Sequence, residues 1–235
     1  SKQQALLDRF LGLKQAPAVP TTTANLASKQ NTIELNLAKY SDVNFGKYYA
    51  LVIGSNDYKY LPKLGTAKTD AMDIAEALRT AYGFEVKLLT NATRDEILDA
   101  FDAYRKKLTE SDNLLIYYAG HGWLDEESDR GYWLPVDAKS DQRRDWISTA
   151  DVTDALKALN AKHVMVMADS CYSGTLVRGI KVQENVPDYI RKMVDKRARL
   201  VITSGGLEPV ADSAGGKNSP FASVFLDILK SNKGV

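Results

Sequence analysis

Two residues of this chain could act together on an electrophile. His121 stands in Ala119-Gly120-His121-Gly122, and Cys171, the only cysteine among 235 residues, stands in Ala168-Asp169-Ser170-Cys171-Tyr172-Ser173-Gly174. A free thiol has a pKa of about 8.5 and is only a few per cent thiolate at neutral pH. A neighbouring imidazole can take its proton and leave a nucleophile. Glycines flanking the histidine permit tight backbone geometry and close approach of a ligand. The other histidine, His163, opens an apolar run without glycine neighbours and reads as structural. A cysteine by itself is usually an inert small hydrophobe; the pairing gives this one a chemical reading.

Each member of the pair follows an apolar run of strand length. Leu114-Leu115-Ile116-Tyr117-Tyr118 precedes the histidine, and His163-Val164-Met165-Val166-Met167 precedes the cysteine. Such runs predict strands buried on both faces of a parallel sheet. In open α/β sheets, reactive groups collect just beyond the carboxyl ends of strands. If these two strands are neighbours, imidazole and sulfur meet at one sheet edge.

The remaining elements alternate in type. Strands are expected at Tyr48 to Gly54, Phe84 to Leu89 and Leu200 to Thr203. Helices are expected over 67–80, with Ala71, Ile74, Ala75 and Leu78 inward, and after Thr93, which with Glu96 spells a capping box. That second helix should bury Ile97, Leu98, Phe101 and Leu108. Further helices are expected over 149–159, capped by Ser148, over 187–197, and from Pro220 to Lys230 with Phe221, Val224, Phe225 and Ile228 inward. Tyr132 to Val136 reads as a small surface hairpin. Alternating strands and helices predict an α/β fold, a mostly parallel sheet with helices on both faces in three layers.

Residues 1–44 read as an N-terminal arm. They hold a short amphipathic helix over 3–13, a Pro- and Thr-rich linker from Ala16, and an edge strand over 32–37 with period-two alternation. Residues 45–235 would form the main domain. The composition is that of an ordinary globular chain, 44% hydrophobic and 26% charged. A net charge of +1 gives no reason to expect nucleic acid or an anionic membrane as partner. No apolar run approaches the roughly 20 residues of a membrane span. One cysteine excludes an internal disulfide, which fits the reducing cytoplasm. The chain starts without methionine, which leaves room for a removed targeting segment.

The Ala-Gly-His-Gly and Asp-Ser-Cys-Tyr-Ser-Gly segments, about 50 residues apart, closely resemble those of the caspase-like cysteine peptidases. The likeness is greatest to the metacaspase, paracaspase and bacterial orthocaspase branches, and it covers Phe45 to Leu229. It implies an endopeptidase in which Cys171 attacks the scissile carbonyl and His121 protonates the leaving amine. Gly122 and Cys171 would donate their backbone N–H groups to the oxyanion. It also implies a sixth, antiparallel strand, so the domain over 45–235 is expected to be cut short at its C-terminus.

The same resemblance implies a specificity. Metacaspases and paracaspases hold an arginine or lysine at P1 with carboxylates. Asp169 matches the acid two residues before the nucleophile, and Asp70 matches the one at the start of the helix after the first strand. Glu208 matches a third acid after strand five, with Asp212 in reserve. For Asp70 the simpler account is a solvated first-turn residue favoured by the helix dipole. Many metacaspases carry an acidic calcium site. Here its two regions read Ser148-Thr149-Ala150-Asp151, with one acid, and Thr175-Leu176-Val177-Arg178, with none. No metal or other cofactor is therefore expected, and the partner is a peptide or protein with a basic P1 residue.

Residues 176–199 carry Arg178, Lys181, Arg191, Lys192, Lys196, Arg197 and Arg199 against three acids. They read equally as a solvated basic helix or as a self-cleavage linker. Trp123, Trp133 and Trp146, all between the two motifs, either wall the cleft or cover the hairpin. Two rivals stand beside the main reading: a catalytically silent scaffold for protein interaction, and a protease that prefers aspartate.

Overall fold

A computed structural model describes residues 45–125, 127–170, 197–204 and 216–231. The expectations for 1–44 and for all but the last residue of the helix over 187–197 lie outside them. The framework is a five-stranded sheet in which every pairing is parallel, in the order β2-β1-β3-β7-β8. Its strands are β1 (Tyr48–Gly54), β2 (Glu85–Thr90), β3 (Asn113–Ala119), β7 (His163–Asp169) and β8 (Ala198–Thr203). The three central strands β1, β3 and β7 are buried almost throughout, as their unbroken apolar runs demand. β2 forms one edge and shows the mixed burial of an edge strand.

Helices cover both faces. α1 (Ala67–Tyr82) and α4 (Pro220–Ser231) pack together on one, and α2 (Arg94–Lys107) and α3 (Thr149–Ala158) on the other. The second face gathers Leu51, Ile53, Leu114, Ile116, Val164 and Val166 against Ile97, Phe101, Val152 and Leu156. Each such side chain, fully buried, contributes about 1.5–3 kcal/mol. Helix propensities differ by only tenths of that among ordinary residues, so packing decides where the helices lie.

Local chemistry fixes their ends. Thr93 and Glu96 form the capping box expected of them at α2. Ser148 and Asp151 form a second one at α3. α1 stops at Gly83, whose φ of 67° is the left-handed value that glycine adopts at no steric cost. The carbonyls at the end of α3 are collected by Arg199 from β8. Its guanidinium reaches the carbonyl oxygens of Leu156, Leu159, Ala161, Lys162 and Ala198.

Three expectations need correction. The hairpin at Tyr132 is not a surface feature. β4 (Gly122–Asp125), β5 (Arg130–Trp133) and β6 (Ile147–Ser148) form an antiparallel sheet whose Trp133 is buried and stacks on Tyr118 at 4.3 Å. The inward face of α4 is Ala222, Phe225, Leu226 and Leu229, while Val224 is 57% exposed. In α2, Leu98 is only partly buried, and Ala100 and Tyr104 complete the inward face.

Candidate functional site

The sheet register brings the carboxyl ends of the central strands level. Gly54 pairs with Ala119, and Ala119 pairs with Asp169. His121 follows Ala119 by two residues, and Cys171 follows Asp169 by two. Cys171 itself, with Glu208 and Asp212, lies outside the described residues.

His121 is held on three sides. Its backbone N–H donates to the Tyr58 hydroxyl at 2.8 Å, and the tyrosine ring lies 4.6 Å from the imidazole, centroid to centroid. Its carbonyl accepts from the Tyr118 hydroxyl at 2.8 Å and from the Leu134 N–H at 3.0 Å. Its Nε2 lies 2.8 Å from the Pro62 carbonyl oxygen. A carbonyl can only accept, so Nε2 carries a proton, and in the neutral imidazole the lone pair then resides on Nδ1. Burial pushes the Tyr58 hydroxyl up to about 12, so it stays neutral.

This geometry explains Gly120. A Cβ there would lie 2.6 Å from the Tyr58 hydroxyl and 2.9 Å from that of Tyr118. Gly54 is needed for a similar reason: a Cβ would lie 2.4 Å from the Ala67 carbonyl oxygen, where α1 crosses the end of β1. Tyr58 and Pro62 have no counterpart among the residues the sequence singles out. They come from the 55–66 loop, about 60 positions from the histidine, and no local motif announces such a contact.

The carboxylates expected to bind a basic group are also brought together. Asp70 is 1% exposed and Asp169 8%, so the account of Asp70 as a solvated helix residue fails. Ser219 joins them. Its N–H donates to Asp70 at 3.1 Å, and its hydroxyl donates to Asp169 Oδ2 at 2.5 Å. Ser219 Oγ in turn accepts from Ala222 N–H at 3.0 Å and so caps α4. The Tyr117 hydroxyl approaches Asp169 from below at 3.5 Å. Desolvation raises the pKa of Asp70, with the charge of Asp169 adding to it, while hydrogen bonds from Asn218, Ser219 and Thr66 oppose the rise. Ser219-Pro220 is legible as a helix start, but its grip on two distant acids is not.

The other expected residues have plainer places. Gly122 opens β4 opposite Trp133. Trp146 is buried edge-on against Tyr132, and Trp123 is 49% exposed beside Trp146. Trp146 therefore covers the small sheet, while Trp133 packs into the main core. Of the basic residues over 176–199, Arg199 is committed to α3, and Arg197 pairs with Glu110 at 2.7 Å. Among the described residues, no three His, Cys, Asp or Glu side chains converge as metal ligands would. No helix among them is long and apolar enough to cross a membrane.

Comparison with known proteins agrees with this architecture. The family described as Caspase domain matches residues 47–234. The human mucosa-associated lymphoid tissue lymphoma translocation protein 1 is 28% identical over 169 residues, 68% of this chain and 19% of that protein. Its mouse homolog is 29% identical over 147 residues, 58% of this chain and 17% of the mouse protein. The chain thus spans less than a fifth of the length of these curated relatives. A crystal structure of a Geobacter sulfurreducens protein superposes with a TM-score of 0.59 at 24% identity, covering 80% of this chain and 84% of that one. At that identity the likeness is one of fold.

Proposed function

The chain belongs to the caspase-domain family, and from that premise we propose that it is a cysteine endopeptidase cleaving after arginine or lysine. The observation that carries the reading is the pairing of Ala119 with Asp169, from which His121 and Cys171 each follow by two residues.

In this mechanism His121 Nδ1 takes the thiol proton, and the sulfur of Cys171 adds to the scissile carbonyl. The N–H groups of Gly122 and Cys171 receive the oxyanion. The proton then passes from Nδ1 to the leaving amine, the C–N bond breaks, and a thioester remains. Water, deprotonated by the same Nδ1, hydrolyses it and returns the thiol. The Nε2–Pro62 hydrogen bond supports this role, because it leaves Nδ1 as the basic nitrogen throughout.

Asp70 and Asp169 are the S1 carboxylates of this reading, with Glu208 and Asp212 as further candidates. A guanidinium between them makes paired charge-assisted bonds. It also offsets the cost of keeping two acids out of water side by side. Self-cleavage within 176–199 belongs to the same proposal. Arg199, fastened to five carbonyls and paired in β8, is not a cleavage site, and the remaining basic residues are the candidates. Calcium is not required. Asp151, the one acid in the first calcium-site region, caps α3.

An arginyl chloromethyl ketone tests the dyad. It should alkylate Cys171 stoichiometrically in the wild type and fail with Cys171→Ala. With His121→Ala the rate should drop by about two to four orders of magnitude, the usual worth of a general base. Absence of labelling would indicate a silent scaffold, and labelling indifferent to His121 would remove the base.

A further inference from the structure

The support of His121 depends on a loop that has no regular structure of its own. Residues 55–66 connect β1 to α1 and present both Tyr58 and Pro62. Asn56 closes this loop. Its carbonyl accepts from Leu64 N–H at 3.1 Å, its Nδ2 donates to the Gly65 carbonyl at 3.1 Å, and its Oδ1 accepts from Lys68 N–H at 2.8 Å. These bonds shape the loop but do not fix it to the sheet.

Asn91, the residue after β2, does fix it. Its Oδ1 accepts from the backbone N–H groups of Asn56 (2.9 Å) and Asp57 (3.0 Å), and its Nδ2 donates to Asp57 Oδ2 at 2.9 Å. Its own N–H donates to the carbonyl of Gly54, the last residue of β1, at 2.9 Å. Its φ is 53°, a left-handed value that asparagine tolerates better than most residues. One residue, through its side chain and its backbone N–H, therefore ties the closing residue of the loop to the ends of two strands.

We propose that Asn91 is a positioning residue for His121, locking the 55–66 loop so that the Pro62 carbonyl holds Nε2–H and leaves Nδ1 as the base. The proposal rests on the reading of His121 as the general base. Removing the clamp leaves two N–H groups without their acceptor. Ser55 N–H on the Ala119 carbonyl, Lys59 N–H on the Val136 carbonyl and the packing of Tyr58 against Leu134 remain, so the loop loosens without detaching. A displacement of about 1 Å at the imidazole is enough to cost up to about a hundredfold in rate.

The test uses the full chain labelled with 15N-histidine, which contains only two imidazoles. Asn91→Gly keeps the left-handed backbone at no steric cost and removes the amide. The pair Asn91→Asp with Asp57→Asn keeps the acceptor for both N–H groups and reverses the side-chain bond between the two residues, so that no two carboxylates meet. In the wild type, His121 should show an Nε2–H signal protected from solvent exchange. His163, whose Nδ1 lies 2.7 Å from Asn113 Oδ1, serves as internal reference.

In Asn91→Gly the His121 signal should be lost to exchange while that of His163 persists. With a substrate that the wild type cleaves, kcat should fall about 10- to 100-fold while KM changes less than about twofold. The Asn91→Asp, Asp57→Asn pair should recover most of both. A protected signal in Asn91→Gly, an unchanged kcat, or a wild-type imidazole protonated on Nδ1 would each overturn the proposal. The last of these needs no variant to fold. A wild type that cleaves nothing, yet loses the protected proton in Asn91→Gly, would uphold the clamp and refute the peptidase reading instead.

Discussion

Asp70 is a carboxylate held almost wholly out of water, with a second, Asp169, joined to it through Ser219. Because burial raises its pKa, the folded state binds the Asp70 proton more tightly than the unfolded chain does. The sign follows: this group's contribution is most favourable below the ordinary aspartate range and is lost as pH rises through its raised folded value. Asp70→Asn should therefore raise Tm at neutral pH, with the gain shrinking toward pH 4 in a calorimetric series. The same substitution should weaken selection for basic P1 residues. Asp169→Ala should lower kcat/KM for arginyl substrates roughly ten- to hundredfold, mainly through KM, since one charge-assisted bond is worth about 1.5–3 kcal/mol. A variant with unchanged arginine preference would remove Asp169 from the S1 site. At this scale the two acids were legible only through resemblance, because one-residue chemistry cannot tell a solvated helix acid from a buried one.

Elements make the site possible by where they end. Strands β1, β3 and β7 finish level, and His121 and Cys171 follow the last two of them by two residues in the sequence. This much was readable, because apolar runs ending abruptly in glycine or aspartate are local signals, as are Thr93 with Glu96 and Ser148 as a cap. What could not be read were contacts between positions far apart in sequence, such as Asn91 on Asn56 and Tyr58 on His121. The face of α4 departs from expectation for a related reason. Val224 outranks Ala222 in hydrophobicity, yet it is the small alanine that faces inward.

Two substitutions test the elements. Gly120→Ala should cost about 1–3 kcal/mol in urea unfolding and most of the activity, since its Cβ meets buried tyrosine hydroxyls. Adding Tyr58→Phe, which removes the nearer oxygen, should recover part of the stability but not the activity. Arg199→Ala should destabilise by roughly 1–3 kcal/mol by releasing the carbonyls at the end of α3. Arg199→Lys should recover little, because one ammonium cannot span five acceptors. Full recovery with lysine would show that charge alone is needed there.

For the molecule as a whole, three-layer architecture and family membership agree with the sheet order found. Cleavage in excess EDTA should equal cleavage in millimolar calcium, and a drop in EDTA would show that a metal site forms after all. Matched fluorogenic peptides ending in arginine, lysine or aspartate should be turned over by the wild type at P1 arginine and lysine, and not at all by Cys171→Ala. Faster release from the aspartyl peptide, or turnover that survives loss of Cys171, would contradict the account.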